Sequence, residues 1–239
     1  MNIKLVNTIA TVVASVKELS DRTGFSDSLI SGVTRAAEER KLSDPPPPGT
    51  PLLCSVGYVV EHSGIYLGEG RVAEVSVSKG VGLLKEVSLT TFLNGGNGVK
   101  SKVRTGNVIY AACDAETGFP LHKDSVAQNA VRFMNEHHAV DYSIVANNCH
   151  LFTISCVTGE FLNAECEEMN MQQWIGKVAK TIHTLTEGDA KSIKRLESAI
   201  MAHLNEGRPV AWISVVPSTY EVLEHRKASK PSGLLELPK

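Results

Sequence analysis

A chain of 239 residues, 42% of them hydrophobic, can bury a core as one domain with additions or as two small domains. The 24 lysines and arginines nearly balance the 26 aspartates and glutamates, so the formal charge is -2 and no basic excess points to a nucleic acid partner. Five cysteines (Cys54, Cys113, Cys149, Cys156 and Cys166) show no small-domain disulfide pattern, which favours a reducing, cytoplasmic setting.

No Cys-x-x-Cys or His-x-x-x-His spacing suggests a metal, and no cofactor is expected. No apolar run is long enough to span a bilayer. The first twenty residues weakly resemble an export signal, but Leu5, Ile9, Val12, Val13, Val16 and Leu19 recur at helical spacing. An amphipathic helix is the preferred reading, and it offers a peripheral membrane contact. Helical pattern continues to about residue 42, with a break near Gly24 and a cap at Asp27. Asp44-Pro-Pro-Pro-Pro-Gly49 then excludes helix and reads as an extended linker.

Strand patterns follow near 53–60, 64–68, 72–78 and 102–112, the third with strict alternation from Arg71 to Ser78. Gly80 to Leu84 reads as a turn away, and Asn94 to Gly98 as a flexible loop. A helix is expected from Asp124, with Ala127, Ala130, Val131, Met134 and His138 on its apolar face. His137 and His138 read as a satisfied pair at its end rather than as metal ligands, since neighbours on a helix diverge. Two further helical patterns, Met169 to Thr184 and Asp189 to Leu204, precede a short apolar segment, Val210 to Val216. A polar tail closes the chain. The division expected is 1–44 helical, 45–165 catalytic, 166–216 a helical extension and 217–239 tail.

Two segments carry chemistry. In Val145-Ala-Asn-Asn-Cys149-His-Leu-Phe152 a cysteine stands at the start of a short apolar helix, Cys149 to Cys156, that Asn147 or Asn148 can cap. The positive end of a helix favours the thiolate, the nucleophilic form. Against this stands the base rate that a lone cysteine is a small core residue. The second segment, Tyr58 to Val75, reads as a hairpin turning at Gly68-Glu69-Gly70. Its strands lie side by side, so Glu74 can hold the imidazole of His62 as the third member of a nucleophile–base–orienter triad. The bland alternative is a half-exposed histidine and a surface glutamate.

Together, His62-Ser-Gly-Ile-Tyr-Leu-Gly-Glu-Gly70 and Tyr142-Ser-Ile-Val-Ala-Asn-Asn-Cys149-His-Leu-Phe152 resemble the histidine and asparagine–cysteine boxes of the lecithin:retinol acyltransferase family. That family is a permuted branch of the NlpC-type papain-like cysteine enzymes, with histidine before cysteine. The resemblance covers roughly Pro51 to Phe161. It implies an α+β fold: a permuted papain-like core with a small antiparallel sheet packed on helices, the cysteine helix among them. It implies Cys149 as nucleophile and His62 as general base. Glu74 falls where the third polar residue, often a histidine, stands in relatives. Cys149-His150-Leu151-Phe152 departs from the Cys-Glu-His-Phe of many relatives. Asn148, His150 and Tyr66 are the candidate oxyanion and positioning residues.

The expected activity is a cysteine-dependent acyl hydrolase or acyltransferase acting on an ester, thioester or amide, with an acyl-bearing lipid or peptide as substrate. The alternatives are an NlpC-type peptidase or amidase, an inactive binding module on the same fold, and a membrane-directed effector.

Overall fold

A computed structural model describes residues 40–56, 60–78, 81–95, 108–141, 149–162 and 191–215. The expected N-terminal helices, the 169–184 pattern, the Asn147–Asn148 cap and the polar tail lie outside these residues.

The frame is one mixed sheet of eight strands: β1 (Lys41–Leu42), β2 (Pro51–Val56), β3 (Val60–Gly68), β4 (Arg71–Ser78), β5 (Val81–Ser88), β6 (Ile109–Asp114), β7 (Ala139–Asp141) and β8 (Val210–Val215). Their order across the sheet is β1-β8-β6-β2-β3-β4-β5-β7. Among the described residues only the β1–β8 pair is parallel. With its helices the architecture is α/β in content and compatible with an α+β arrangement.

The sheet is wider than the four strands expected. Gly82 sits inside β5, whose eight residues pair along all of β4 instead of turning away. Val210–Val215 pairs with β6, so the segment after the helical extension is a strand of this sheet. The proline run is no loose tether either. Gly49 N donates to Tyr66 O at 2.7 Å, Thr50 Oγ1 donates to Pro47 O at 2.7 Å, and Pro46 is buried.

Because strand side chains alternate, each face of the sheet has its own core. One face buries Leu53, Ile65, Ala73 and Val75 against α2 (Asp124–Glu136), α3 (Cys149–Thr158) and α4 (residues 191–204). Ile193, Leu196 and Ile200 of α4 are buried there, as their spacing predicts. The helix α2 is rotated from its expected face: Val126, Ala130 and Phe133 are buried, while Val131 is 44% exposed. The opposite face buries Leu52, Cys54, Tyr66, Val72 and Ile109 with Leu89 and Phe92 of the short α1 (Leu89–Asn94). Among the described residues, no helix is long and apolar enough to cross a membrane.

Candidate active site

The hairpin β3–β4 forms as its sequence dictates. Gly68, Glu69 and Gly70 all have positive φ (90°, 52° and 73°), a conformation that glycine adopts without the Cβ clash of other residues. The strands then pair from Gly68↔Arg71 back to Gly64↔Glu74. His62 is two residues from Gly64, so it shares a face with Glu74 and sits diagonally to it. The contact is made: His62 Nε2 lies 2.9 Å from Glu74 Oε2, and both groups are buried, at 5% and 1% exposure. In this setting a carboxylate is a strong acceptor for the imidazole N–H and stabilises the imidazolium.

Phe92 of α1 tilts against the imidazole, with ring centroids 5.0 Å apart. Its backbone carbonyl accepts a weak hydrogen bond from Cys54 Sγ at 3.5 Å. Cys54 faces His62 directly across β2 and β3. The imidazole is thus fixed by an acidic partner on one strand and an aromatic wall from a helix.

Cys149 opens α3 as the sequence indicates, and the helix runs two residues past Cys156. From Cys149 to Val157 every residue is buried, which accounts for an apolar composition without a polar face. The thiol of Cys149 is 4% exposed as a residue and donates to the backbone carbonyl of Glu61 at 3.9 Å. Glu61 immediately precedes His62. The β3–β4 ladder begins at Gly64, so Glu61, His62 and Ser63 extend past it while remaining paired to β2. The sulfur thus meets the backbone carbonyl of Glu61 from the α3 side of the sheet, while the imidazole of the next residue, His62, is held with Glu74 and Phe92 on the opposite face, where that ladder opens.

Of the remaining expected site residues, His150 is 1% exposed and its Nδ1 is 3.0 Å from Ser63 Oγ. Tyr66 is engaged elsewhere. Four residues along the strand from His62, roughly 13 Å away, its hydroxyl accepts from Gly70 N at 3.2 Å and braces the hairpin turn. Burial raises the Tyr66 phenol above its ordinary value despite that bond. Asn148 lies outside the described residues.

Sequence reasoning did not single out Ser63, Thr153 or Glu61. Ser63 Oγ lies 2.9 Å from Thr153 Oγ1, a contact across 90 residues that only the fold can bring about. Glu61 is 6% exposed, and its charge helps to raise the Tyr110 phenol, though burial is the larger cause. Among the described residues no group of His, Cys, Asp and Glu is arranged to hold a metal ion. His137 stacks on Phe161 at 3.8 Å between ring centroids, an ordinary packing role.

Cys156 is fully buried, and desolvation pushes its pKa well above the ordinary thiol value. No disulfide joins the described cysteines.

Residues 46–162, about half of the chain, match the family model of lecithin retinol acyltransferase. No match was found among curated proteins or among solved structures.

Proposed function

Because residues 46–162 belong to the lecithin retinol acyltransferase family, we propose that the chain is a cysteine-dependent acyl hydrolase or acyltransferase with a permuted papain-like core. In this reading Cys149 is the nucleophile, His62 the base and Glu74 the residue that orients the base. The observation that carries it is the buried His62–Glu74 pair, 2.9 Å apart, on the strand whose Glu61 carbonyl touches the Cys149 sulfur.

His62 takes the thiol proton through the ring nitrogen other than the one facing Glu74. The thiolate attacks the carbonyl carbon of an ester, thioester or amide, and the carbonyl oxygen becomes an oxyanion. Backbone N–H groups in the first turn of α3 are suitable donors to it; one such donor contributes about 3 kcal/mol. As the tetrahedral intermediate collapses, His62 returns the proton to the leaving group and an acyl-thioester remains on Cys149. Water then completes hydrolysis, or an alcohol or amine completes transfer, with His62 removing the proton from the acceptor. Glu74 keeps one imidazole tautomer and stabilises the charged ring at both stages.

The family favours a lipid acyl chain as substrate, met at a membrane surface. The catalytic unit we assign is 45–165, with β1 and β8 extending its sheet. A reducing, cytoplasmic setting is the proposed location, supported by five cysteines without a small-domain disulfide pattern in the sequence.

One observation favours a second reading, an inactive binding module. Cys149, His62 and Glu74 are each 5% exposed or less, and the thiol is bonded to a backbone carbonyl. Intact mass spectrometry after incubation with lipid and peptide ester pools separates the two. The enzyme gives an acyl adduct on Cys149 that is absent from Cys149→Ala. A chain that forms no adduct and does not react with iodoacetamide at neutral pH is the binding module.

A further inference from the structure

The second buried polar cluster lies on the α3 side of β3, where the proposed chemistry gives it no part. His150 Nδ1 is 3.0 Å from Ser63 Oγ, Ser63 Oγ is 2.9 Å from Thr153 Oγ1, and Thr153 Oγ1 donates to Cys149 O at 3.0 Å. Ser63 and Thr153 are wholly buried and His150 is 1% exposed. Counting hydrogens fixes the direction of the chain, since each hydroxyl has one proton to give. Thr153 gives its proton to the carbonyl of Cys149. Ser63 must then give its own to Thr153, so Ser63 accepts from His150. The imidazole of His150 therefore carries its proton on Nδ1.

A threonine bonded to the carbonyl four residues earlier is common in helices and means little alone. Here the same hydroxyl also accepts from the neighbouring strand. Glu61 and Ser63 are two apart on β3 and share a face, so the first turn of α3 is tied to the strand twice. One tie is Cys149 Sγ to Glu61 O, and the other runs from Ser63 to both His150 and Thr153. His62 stands between the two anchor residues. We propose that Ser63 and Thr153 are positioning residues, and that their relay to His150 sets where the Cys149 sulfur stands relative to His62. His150 enters as an Nδ1–H donor and carries no proton in the reaction. The proposal rests on the reading of Cys149 as nucleophile and His62 as base.

The test uses the full chain with Ser63→Ala, Thr153→Val, His150→Asn and His150→Gln. Hydrolysis of p-nitrophenyl butyrate gives kcat and KM, and intact mass gives the rate of Cys149 alkylation by iodoacetamide. A sulfur displaced from its base is expected to lower kcat about tenfold or more in Ser63→Ala and Thr153→Val, with KM changed by less than about twofold. The asparagine amide reproduces a donor at the Nδ1 position and the longer glutamine one at Nε2. His150→Asn should therefore keep kcat within about threefold of wild type while His150→Gln loses about tenfold. Folded Ser63→Ala and Thr153→Val enzymes with unchanged kcat and alkylation rate overturn the proposal. So does a His150→Asn enzyme as inactive as Cys149→Ala, which would make His150 a proton carrier. Where a variant fails to fold, the nitrogen-15 spectrum of wild-type His150 decides, and a proton on Nε2 alone sinks the relay. A wild-type chain that neither hydrolyses the ester nor takes up an acyl group defeats the functional reading instead, and alkylation rates with the tautomer still judge the relay.

Discussion

Gly64 stands directly across the hairpin from Glu74, and its missing side chain makes room for the site. A Cβ there would come within 2.6 Å of the Ala73 carbonyl oxygen and 3.0 Å of Phe92 Cε2. Phe92 is also the wall against which the His62 imidazole rests. Gly64→Ala should therefore destabilise the fold by about 1–3 kcal/mol through overpacking and lower activity by shifting Phe92. A thermal melt alongside ester turnover measures both. At the dyad, His62→Ala should reduce turnover by about 10²–10⁴-fold, the range for loss of a general base. Glu74→Gln keeps an acceptor for the ring N–H and loses only the charge, so a smaller loss is expected; steady-state kinetics on the two variants rank them. This part of the site was legible because His62 and Glu74 lie within one hairpin whose turn residues announce it. Ser63 and Thr153 were not, because nothing local marks two hydroxyls that meet only when α3 lies on β3.

Short elements are held by bonds that local sequence supplies. Ser88 ends β5 and caps α1, accepting from Thr91 N at 3.1 Å, while Gly95 closes the helix at φ 76°. Ser88→Ala removes the cap and should cost about 1 kcal/mol; since α1 carries Phe92, a chemical denaturation midpoint should fall together with activity. After β6, Asp114 Oδ1 accepts from the backbone N–H groups of Thr117, at 2.8 Å, and Glu116, at 3.0 Å. With the Arg208 guanidinium 3.4 Å away, these bonds hold its carboxyl below the ordinary value of 3.8. A carboxyl depressed in the folded state stabilises the fold above its unfolded value, and that contribution is lost as pH falls through the folded one. Asp114→Asn should flatten the acid side of a stability-versus-pH curve below pH 3.8 and leave its neutral-to-alkaline slope unchanged, read by urea midpoints across pH. The strand β5 escaped the sequence reading because Gly80 and Gly82 mimic a turn, although Leu84 and Val87 pack on opposite faces as alternation requires. The three-residue β7 is too short for any periodicity to register.

At the scale of the molecule, the sheet reaches past the proposed 45–165 unit into the C-terminal segment. The strand β8 lies between β1 and β6 and pairs with all six residues of β6. It contributes Ile213 and Val215 to one core and Trp212 to the other. Trp212 Nε1 also donates to Glu197 Oε1 on α4 at 3.0 Å, so strand and helix are fastened to each other as well as to the sheet. A helical stripe such as Ile193, Leu196 and Ile200 can be read from spacing, whereas the partner of Val210–Val215 depends on a pairing across about a hundred residues that no local pattern encodes. The energetic consequence is specific. Residues 45–165 alone would expose the backbone edge of β6 and uncover the apolar surface that Leu196, Ile200 and Trp212 bury, leaving an unpaired hydrophobic edge prone to association. That fragment is expected to aggregate or remain unfolded by size-exclusion chromatography and circular dichroism, although it spans the whole of the family match and every proposed catalytic residue. Residues 40–215 should fold. In that longer chain Trp212→Ala should cost about 3–5 kcal/mol, the range for removing a large buried aromatic, while the alkylation of Cys149 in the remaining folded molecules stays at the wild-type rate, because Trp212 pairs with Ala112, back along β8 from Val215, the residue in line with Ile109, Cys54 and His62.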